Sequence, residues 1–462
     1  MSSTNNQSTA LSILGGGPAG LAAAFYARKR DIPFVVYEAG PRIGGNCRTL
    51  EHNGFRFDTG AHRFHARYPD ITADMLELMG NDLVKIDVPS QIVYGKRFID
   101  FPLSPLNLIT RLGPRKVTAA AIDFVRARRN GNGFDNFKDS AVGTYGQTIA
   151  DAFLLGYSEK LWGLPAARLS PAISGKRLKG LNISTFLQEL FKGRRQKTEH
   201  LDGSFFYPRL GIGMLMDRIG EYCGAENLRT NSPVTRVFHS GNRITELEIA
   251  GSRVPAESVV STLPLNVLVQ SLQPAAPQRL IELAQKIRFQ NLVLVVLLLK
   301  RDRVSGNASF YFPDPSTPFT RACEPKNRSS AMSPAGMTSL AMELPCGPDS
   351  ACWNERDNRL IETAANYATS VGLMGQDDLL EGVVYRMRNA YPILEVGHEA
   401  VVAEIMSYLS QFENLFISGR NGKFSYLHVH DLLREGNELT ARLENNSQSA
   451  VGAKVADEVA KL

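Results

Sequence analysis

The segment Leu11-Ser-Ile-Leu-Gly-Gly-Gly-Pro-Ala-Gly-Leu-Ala-Ala-Ala-Phe25 constrains this chain more than any other. Its first four residues form a short apolar run of strand character. Gly15, Gly17 and Gly20 follow in G-x-G-x-x-G spacing, and the small residues after Pro18 and Ala19 predict a helix. Each glycine has its own physical role. The first permits the tight turn out of the strand, the second lets a pyrophosphate approach the backbone, and the third lets helix and strand pack closely. The helix N-terminus adds unpaired N–H groups and partial positive charge. A second strand, Pro33-Phe-Val-Val-Tyr-Glu38, ends in an acid 18 residues beyond Gly20. Glu38 is placed there to bond a ribose hydroxyl. A bare glycine-rich turn would not need this context, so the pattern predicts an α/β dinucleotide-binding domain.

The residues after the acid narrow the dinucleotide. Glu38-Ala39-Gly-Pro-Arg42-Ile-Gly44-Gly45-Asn46 carries a second glycine pair. This stretch resembles the FAD-binding signature of the amine oxidase and protoporphyrinogen oxidase superfamily of flavoproteins. The resemblance implies FAD as cofactor. Glu38 and Ala39 would then meet the adenosine ribose, with Arg42, Gly44, Gly45 and Asn46 beside the pyrophosphate. Further on, Gly60-Ala-His-Arg-Phe-His65 looks like the Gly-x-His-x-Phe-His of UDP-galactopyranose mutases and of a related protoporphyrinogen-oxidase-like branch. By that match His62 and His65 lie near the isoalloxazine ring. Read from the residues alone, they are also two polar histidines capping a turn. A metal pair at i, i+3 is a third reading, but no carboxylate or cysteine partner stands nearby, and no metal site is expected.

The same resemblance runs through most of the chain. Val234 matches a residue whose backbone meets adenine, and Thr262 lies in the Thr-x-Pro turn that leaves the cofactor domain. Gly419-Arg420 falls where a glycine and a cation meet the pyrophosphate, a contact suited to a bidentate guanidinium. His428 and Val429 stand at the turn into a final helix, whose dipole would favour negative charge on reduced flavin. The implied fold is a Rossmann-like α/β FAD domain from residues 1–75, 201–265 and 405–462. A discontinuous substrate domain, 76–200 and 266–404, would hold helices in 105–200 and a mixed or antiparallel sheet in 266–404. Residues 49–57 read as one strand, 91–103 as a hairpin turning at Gly95-Lys96, and 292–299 as the central strand of the sheet. Residues 353–372 and 397–412 read as amphipathic helices.

Charge excludes some partners. A net charge of +6 and a sequence pI near 9.0 suit an acidic or phosphorylated small molecule and are too modest to argue for nucleic acid. The basic clusters at 126–129 and 192–197 read as solvated helix ends, with peripheral membrane contact as the alternative. The longest apolar run, Leu292–Leu299, is too short to span a bilayer. Five widely spaced cysteines and a polar lead-in without signal-peptide character point to a reduced, cytoplasmic protein. The oligomeric state is not predicted.

Two functions fit the resemblance. One is an FAD-dependent oxidoreductase of the amine oxidase or protoporphyrinogen oxidase type. It would oxidise a small substrate, an amine or a sugar- or nucleotide-linked compound, by hydride transfer to flavin N5. His62, His65 and His430 are its candidate proton-transfer groups by residue type. The alternative is a non-redox UDP-sugar mutase that uses reduced FAD as a nucleophile. It would need cations for a diphosphate, and Arg63, Arg177, Arg209 and Arg321 are the candidates for substrate anions. The stretch from Glu159 to Ser170 resembles the oxidase-like branch more than the mutases, which favours the first reading. A flavoprotein holding FAD as a scaffold is the third class.

Overall fold

The computed structural model describes residues 11–101, 105–127, 133–174 and 204–459. Arg177, the basic cluster at 192–197 and the rest of the expected helical stretch beyond 174 lie outside the described residues.

Three distant parts of the chain build one parallel sheet. Its strand order is Leu415–Ile417, Val259–Ser261, Leu11–Leu14, Phe34–Tyr37 and Leu228–Arg229. Every neighbouring pair is parallel. Leu11–Leu14 sits in the middle with all four residues buried, as an apolar run covered on both faces should. Helix Pro18–Lys29 covers one face, and residues 19–27 are all buried. Its small side chains let the long final helix, Val429–Val459, come close. A Cβ on Gly436 of that helix would lie 2.7 Å from the backbone of Ala22. Helix Ile212–Cys223 packs into the same apolar cluster.

A four-stranded sheet, in the order Ser252–Pro255, Arg243–Ile249, Val234–Ser240 and Leu272–Gln273, lies beside this core. The larger seven-stranded sheet runs Leu379–Pro392, Phe289–Leu299, Thr338–Cys346, Arg321–Cys323, Ser309–Tyr311, Ser90–Tyr94 and Arg97–Phe101. It is antiparallel except where Ser309–Tyr311 meets Ser90–Tyr94. The sheet is therefore mixed, and the hairpin at 90–101, which turns at Gly95-Lys96, is part of it.

Several expectations need correction. Residues 49–57 form a hairpin, Thr49–His52 with Phe55–Asp58, and Asn53 and Gly54 turn it with positive φ angles of 48° and 79°. Asn-Gly between short extended runs is the expected chemistry for such a turn. The strand expected at 292–299 extends over Phe289–Leu299 and is wholly buried, but it is second from one edge of the sheet and not central. The helix expected over 353–372 is two helices, Ala351–Asn354 and Asp357–Ser370. The other is His398–Leu409. No described helix is long and apolar enough to cross a membrane.

Candidate functional site

The two glycine loops face one another at the end of the first strand. Gly15 leaves the strand with φ +102°, a conformation favouring glycine, and a Cβ there would lie 2.4 Å from Thr262 Oγ1. Thr262 donates its hydroxyl to the carbonyl of Leu14 at 2.8 Å and so fixes the turn. A Cβ on Gly20 would lie 1.9 Å from the carbonyl oxygen of Gly15, so no larger residue fits between helix and strand. Gly44 N donates to Gly16 O at 2.8 Å, joining the loops. A Cβ on Gly45 would sit 3.0 Å from Gly17 Cα, whereas one on Gly17 would have 3.8 Å to Gly45 Cα. Beside Gly17 the helix opens with Pro18, whose missing N–H costs nothing at that position. The result is a cleft of bare backbone at a helix N-terminus, the form that receives a pyrophosphate.

Other expected cofactor residues cluster around this cleft. Glu38 accepts N–H bonds from Gly16 at 2.7 Å and Gly40 at 2.8 Å, so its carboxylate braces the loop. Ala39 and Arg42 are exposed on the following turn, and Arg42 is among the charges acting on Asp217. The chain before Val234 docks on the same turn: Asn231 N donates to Gly40 O and Ser232 N to Glu38 O. A Cβ on Gly419 would meet Ala19 Cβ at 2.9 Å, which places that turn over the start of the fingerprint helix. Arg420 donates to the carbonyl of Leu427 from Nε at 3.1 Å and from the NH2 group at 2.6 Å. Its guanidinium lies 4.6 Å from the Tyr426 ring centroid. It braces the turn that leads to His428 and Val429, where the final helix begins.

His62 stands where these loops meet the seven-stranded sheet. Its Nε2 lies 2.9 Å from the carbonyl of Asn46 and its Nδ1 3.5 Å from Cys47 Sγ. Donation from Nε2 to the carbonyl leaves Nδ1 as the acceptor facing the thiol. Burial, with the nearby Arg420 charge, pushes its pKa down to about 3. His62 is therefore neutral near neutral pH and does not take up a proton there. His65 is elsewhere. Its ring packs edge-on at 5.8 Å against His430, which stacks on His428 at 5.4 Å. The three expected histidines thus divide into an inner ring, His62, and a separate His65–His430 cluster at the mouth of the final helix.

The expected arginines separate in the same way. Arg209 is half-exposed and pairs with Asp82 at 3.1 Å. Arg63 lies over the Phe205 ring at 4.9 Å. Arg321 is deep in the sheet, where its NH2 group lies 2.7 Å from both carboxylate oxygens of Glu343, itself 1% exposed. Glu343 also accepts Ala61 N at 3.1 Å, tying the sheet to the segment that carries His62.

Sequence reasoning did not single out the groups around that pair. Tyr157 and Tyr391 are near enough to interact with it electrostatically, and burial pushes both phenols far above their usual range. Tyr391 and Trp162 touch Tyr426 at 6.4 Å and 5.8 Å, and Tyr426 touches His428 at 5.4 Å. These rings form one aromatic cluster that reaches from the larger sheet to the final helix. Tyr157, His62 and Arg321 are each only partly buried. Behind Tyr157, Lys160 donates to the carbonyls of Phe312, Asp314, Thr317 and Phe319 and holds that loop on the helix. Asp58, bonded by Tyr207 at 2.6 Å and by Ile212 N at 2.9 Å, anchors the segment leading to His62.

Residues 18–436 match the sequence model of the family described as flavin containing amine oxidoreductase. The chain belongs to that family. Its cofactor is FAD, and the bare-backbone cleft between Gly17 and Gly45 fits the dinucleotide. Among curated proteins, coproporphyrinogen III oxidase of Bacillus subtilis (strain 168) is 23% identical, over 92% of this chain and 95% of its own length. Protoporphyrinogen oxidase 2 of Arabidopsis thaliana is 27% identical, but the match spans 22% of this chain and only 20% of that protein. The solved structure of reduced UDP-galactopyranose mutase superimposes with a TM-score of 0.81 at 22% identity, covering 93% of this chain and 94% of the mutase. At that identity the likeness concerns the fold. Family members are flavin-dependent enzymes, and the fold is shared by oxidases and the mutase.

Proposed function

We propose that this protein is an oxidoreductase for a small organic molecule, an amine or a sugar- or nucleotide-linked compound. Bound FAD supplies the hydride acceptor, flavin N5. The chain's own residues bind, orient and exclude water. Gly15, Gly17, Gly20, Gly44 and Gly45 hold the cofactor's pyrophosphate against backbone, with Glu38 fixing the loop. His62, neutral and held by the Asn46 carbonyl, keeps the segment after Asp58 in place beside the ring. Tyr157, Tyr391 and Tyr426 wall the substrate space and keep water from the reacting carbon. We place proton transfer, where the substrate requires it, at the His65–His430 cluster, because His62 stays neutral. The domain division at 1–75, 201–265 and 405–462 against 76–200 and 266–404 belongs to this reading.

One observation carries it: Arg321, the expected anion ligand deepest in the protein, is neutralised by Glu343. A diphosphate leaving group calls for cations whose charge is not already matched. Arg209 has its own partner at the surface. Two of the expected anion ligands are therefore already matched, which favours a neutral or weakly charged reacting group over an activated sugar diphosphate.

The test is anaerobic. Purified yellow protein is mixed with a panel of amines and nucleotide-linked sugars, and the flavin absorbance is followed. Bleaching by one class identifies the substrate. Flavin that no member of the panel reduces counts against this reading.

A further inference from the structure

Strand Thr338–Cys346 ends in a cysteine, and the short helix Ala351–Asn354 that follows it carries another, Cys352. Their spacing matches no C-x-x-C motif, but the chain doubles back between them. Ser350 N donates to Gly347 O at 3.2 Å, and the Ser350 hydroxyl donates to the same carbonyl at 2.7 Å. This turn folds Cys352 back toward Cys346, both pack into one apolar cluster, and the two thiols are near enough to interact. Cys352 Sγ also lies 3.2 Å from Ser350 Oγ, and Trp353 N donates to Ser350 O at 3.1 Å, closing the turn around it. Cys346 is buried, whereas Cys352 retains exposure. Arg386 on the edge strand holds the loop in place, donating to the carbonyls of Trp353 at 3.0 Å and Glu355 at 2.6 Å.

We propose that Cys346 and Cys352 form a reversible dithiol–disulfide site, with Cys352 as the attacking sulfur and Cys346 as the resolving one. Accessible sulfur in a polar turn beside a sheltered partner is the arrangement of oxidation-sensitive thiols. The hydrogen bond from Cys346, ahead of those from Ser350 and the backbone, pulls Cys352 down to about 6, while the same contact pushes Cys346 up. The other thiols lack this setting. Cys47 and Cys223 are buried and pushed up to about 12, and Cys323 is buried.

The oxidant is a peroxide. The Cys352 thiolate attacks one oxygen of hydrogen peroxide, the O–O bond breaks, and hydroxide leaves and becomes water, giving a sulfenic acid. Cys346 sulfur then attacks Cys352 sulfur, the S–O bond breaks, and a second water leaves with the Cys346 proton. Two thiols lose two electrons and two protons, and one peroxide becomes two waters.

The experiment uses the FAD-loaded full-length protein and hydrogen peroxide, followed by alkylation and peptide mass mapping. The expected result is loss of alkylation at both Cys346 and Cys352 and a peptide linked through them, with recovery after a dithiol reductant. In Cys346→Ser protein, dimedone should trap a sulfenic acid at Cys352. In Cys352→Ser protein, Cys346 should stay alkylatable. The proposal is overturned if wild-type Cys346 and Cys352 remain as alkylatable after peroxide as before. It is equally overturned if Cys352 passes to the sulfinic acid without forming the link. Both results come from unaltered protein, so they hold even if a variant folds poorly.

Discussion

At the residue scale, one side chain and the absence of another decide most. The absent one is at Gly17, in the cleft proposed to receive the pyrophosphate. Gly17→Val would place branched carbons in the cleft facing Gly45. The expected outcome is protein that folds but purifies without bound flavin, read from the visible absorbance relative to protein concentration. A full complement of flavin would mean that the cleft holds no pyrophosphate. His62 gives a pH prediction. Its folded pKa, about 3, lies below its ordinary value of 6.5. Between those values the unfolded chain binds a proton that the folded protein does not. The contribution of His62 to stability is therefore complete above about pH 6.5 and is lost as pH falls toward 3. Asn in its place does not titrate. The difference in melting temperature between wild type and His62→Asn should shrink as pH is lowered through this window, whereas parallel curves would contradict the burial of a neutral ring. The glycines were legible in sequence because each has a steric reason to be glycine. The neutrality of His62 was not, since it comes from the protein packed around the ring.

At the element scale, the local patterns were readable and their pairings were not. The strand, turn and helix at 11–29 declared themselves through periodicity and glycine spacing, and so did the hairpin at 90–101. That this hairpin pairs with Ser309–Tyr311 depends on contacts more than two hundred residues apart, which no local window carries. The Arg321–Glu343 pair is illegible for the same reason. Its members sit opposite one another on adjacent strands, Arg321–Cys323 and Thr338–Cys346. Each alone reads as an ordinary charged residue in an apolar run. Glu343→Ala would leave a buried guanidinium unmatched and should cost about 3–5 kcal/mol of stability, seen as a lower denaturation midpoint. Replacing both members, Arg321→Met with Glu343→Leu, should recover most of that loss. It should not recover activity, because the substrate wall would lose its polar anchor beside Tyr157 and Tyr391. Equal destabilisation by the single and double changes would show that the pair does not act as a unit. The helix break between Asn354 and Asp357 also escaped the sequence, since the carbonyls of Trp353 and Glu355 are taken by Arg386 from a distant strand.

At the scale of the whole molecule, the chain crosses repeatedly between the parallel sheet and the seven-stranded sheet, and the candidate site forms where they meet. The parallel sheet and its fingerprint helix supply the cleft for FAD. The larger sheet supplies Arg321, Glu343 and Tyr391, while the helix Leu155–Trp162 supplies Tyr157 and Trp162. The fold class could be inferred from the amino-acid sequence because a dinucleotide cleft admits few architectures. The use made of the flavin could not, because oxidases and the mutase share this fold. The most direct measurement is therefore made on the dithionite-reduced protein under argon, with UDP-galactofuranose added and UDP-galactopyranose assayed. The account predicts that no UDP-galactopyranose appears, from protein that was yellow before reduction. Its formation with reduced flavin and not with oxidised flavin would make this protein a mutase and contradict the oxidoreductase reading.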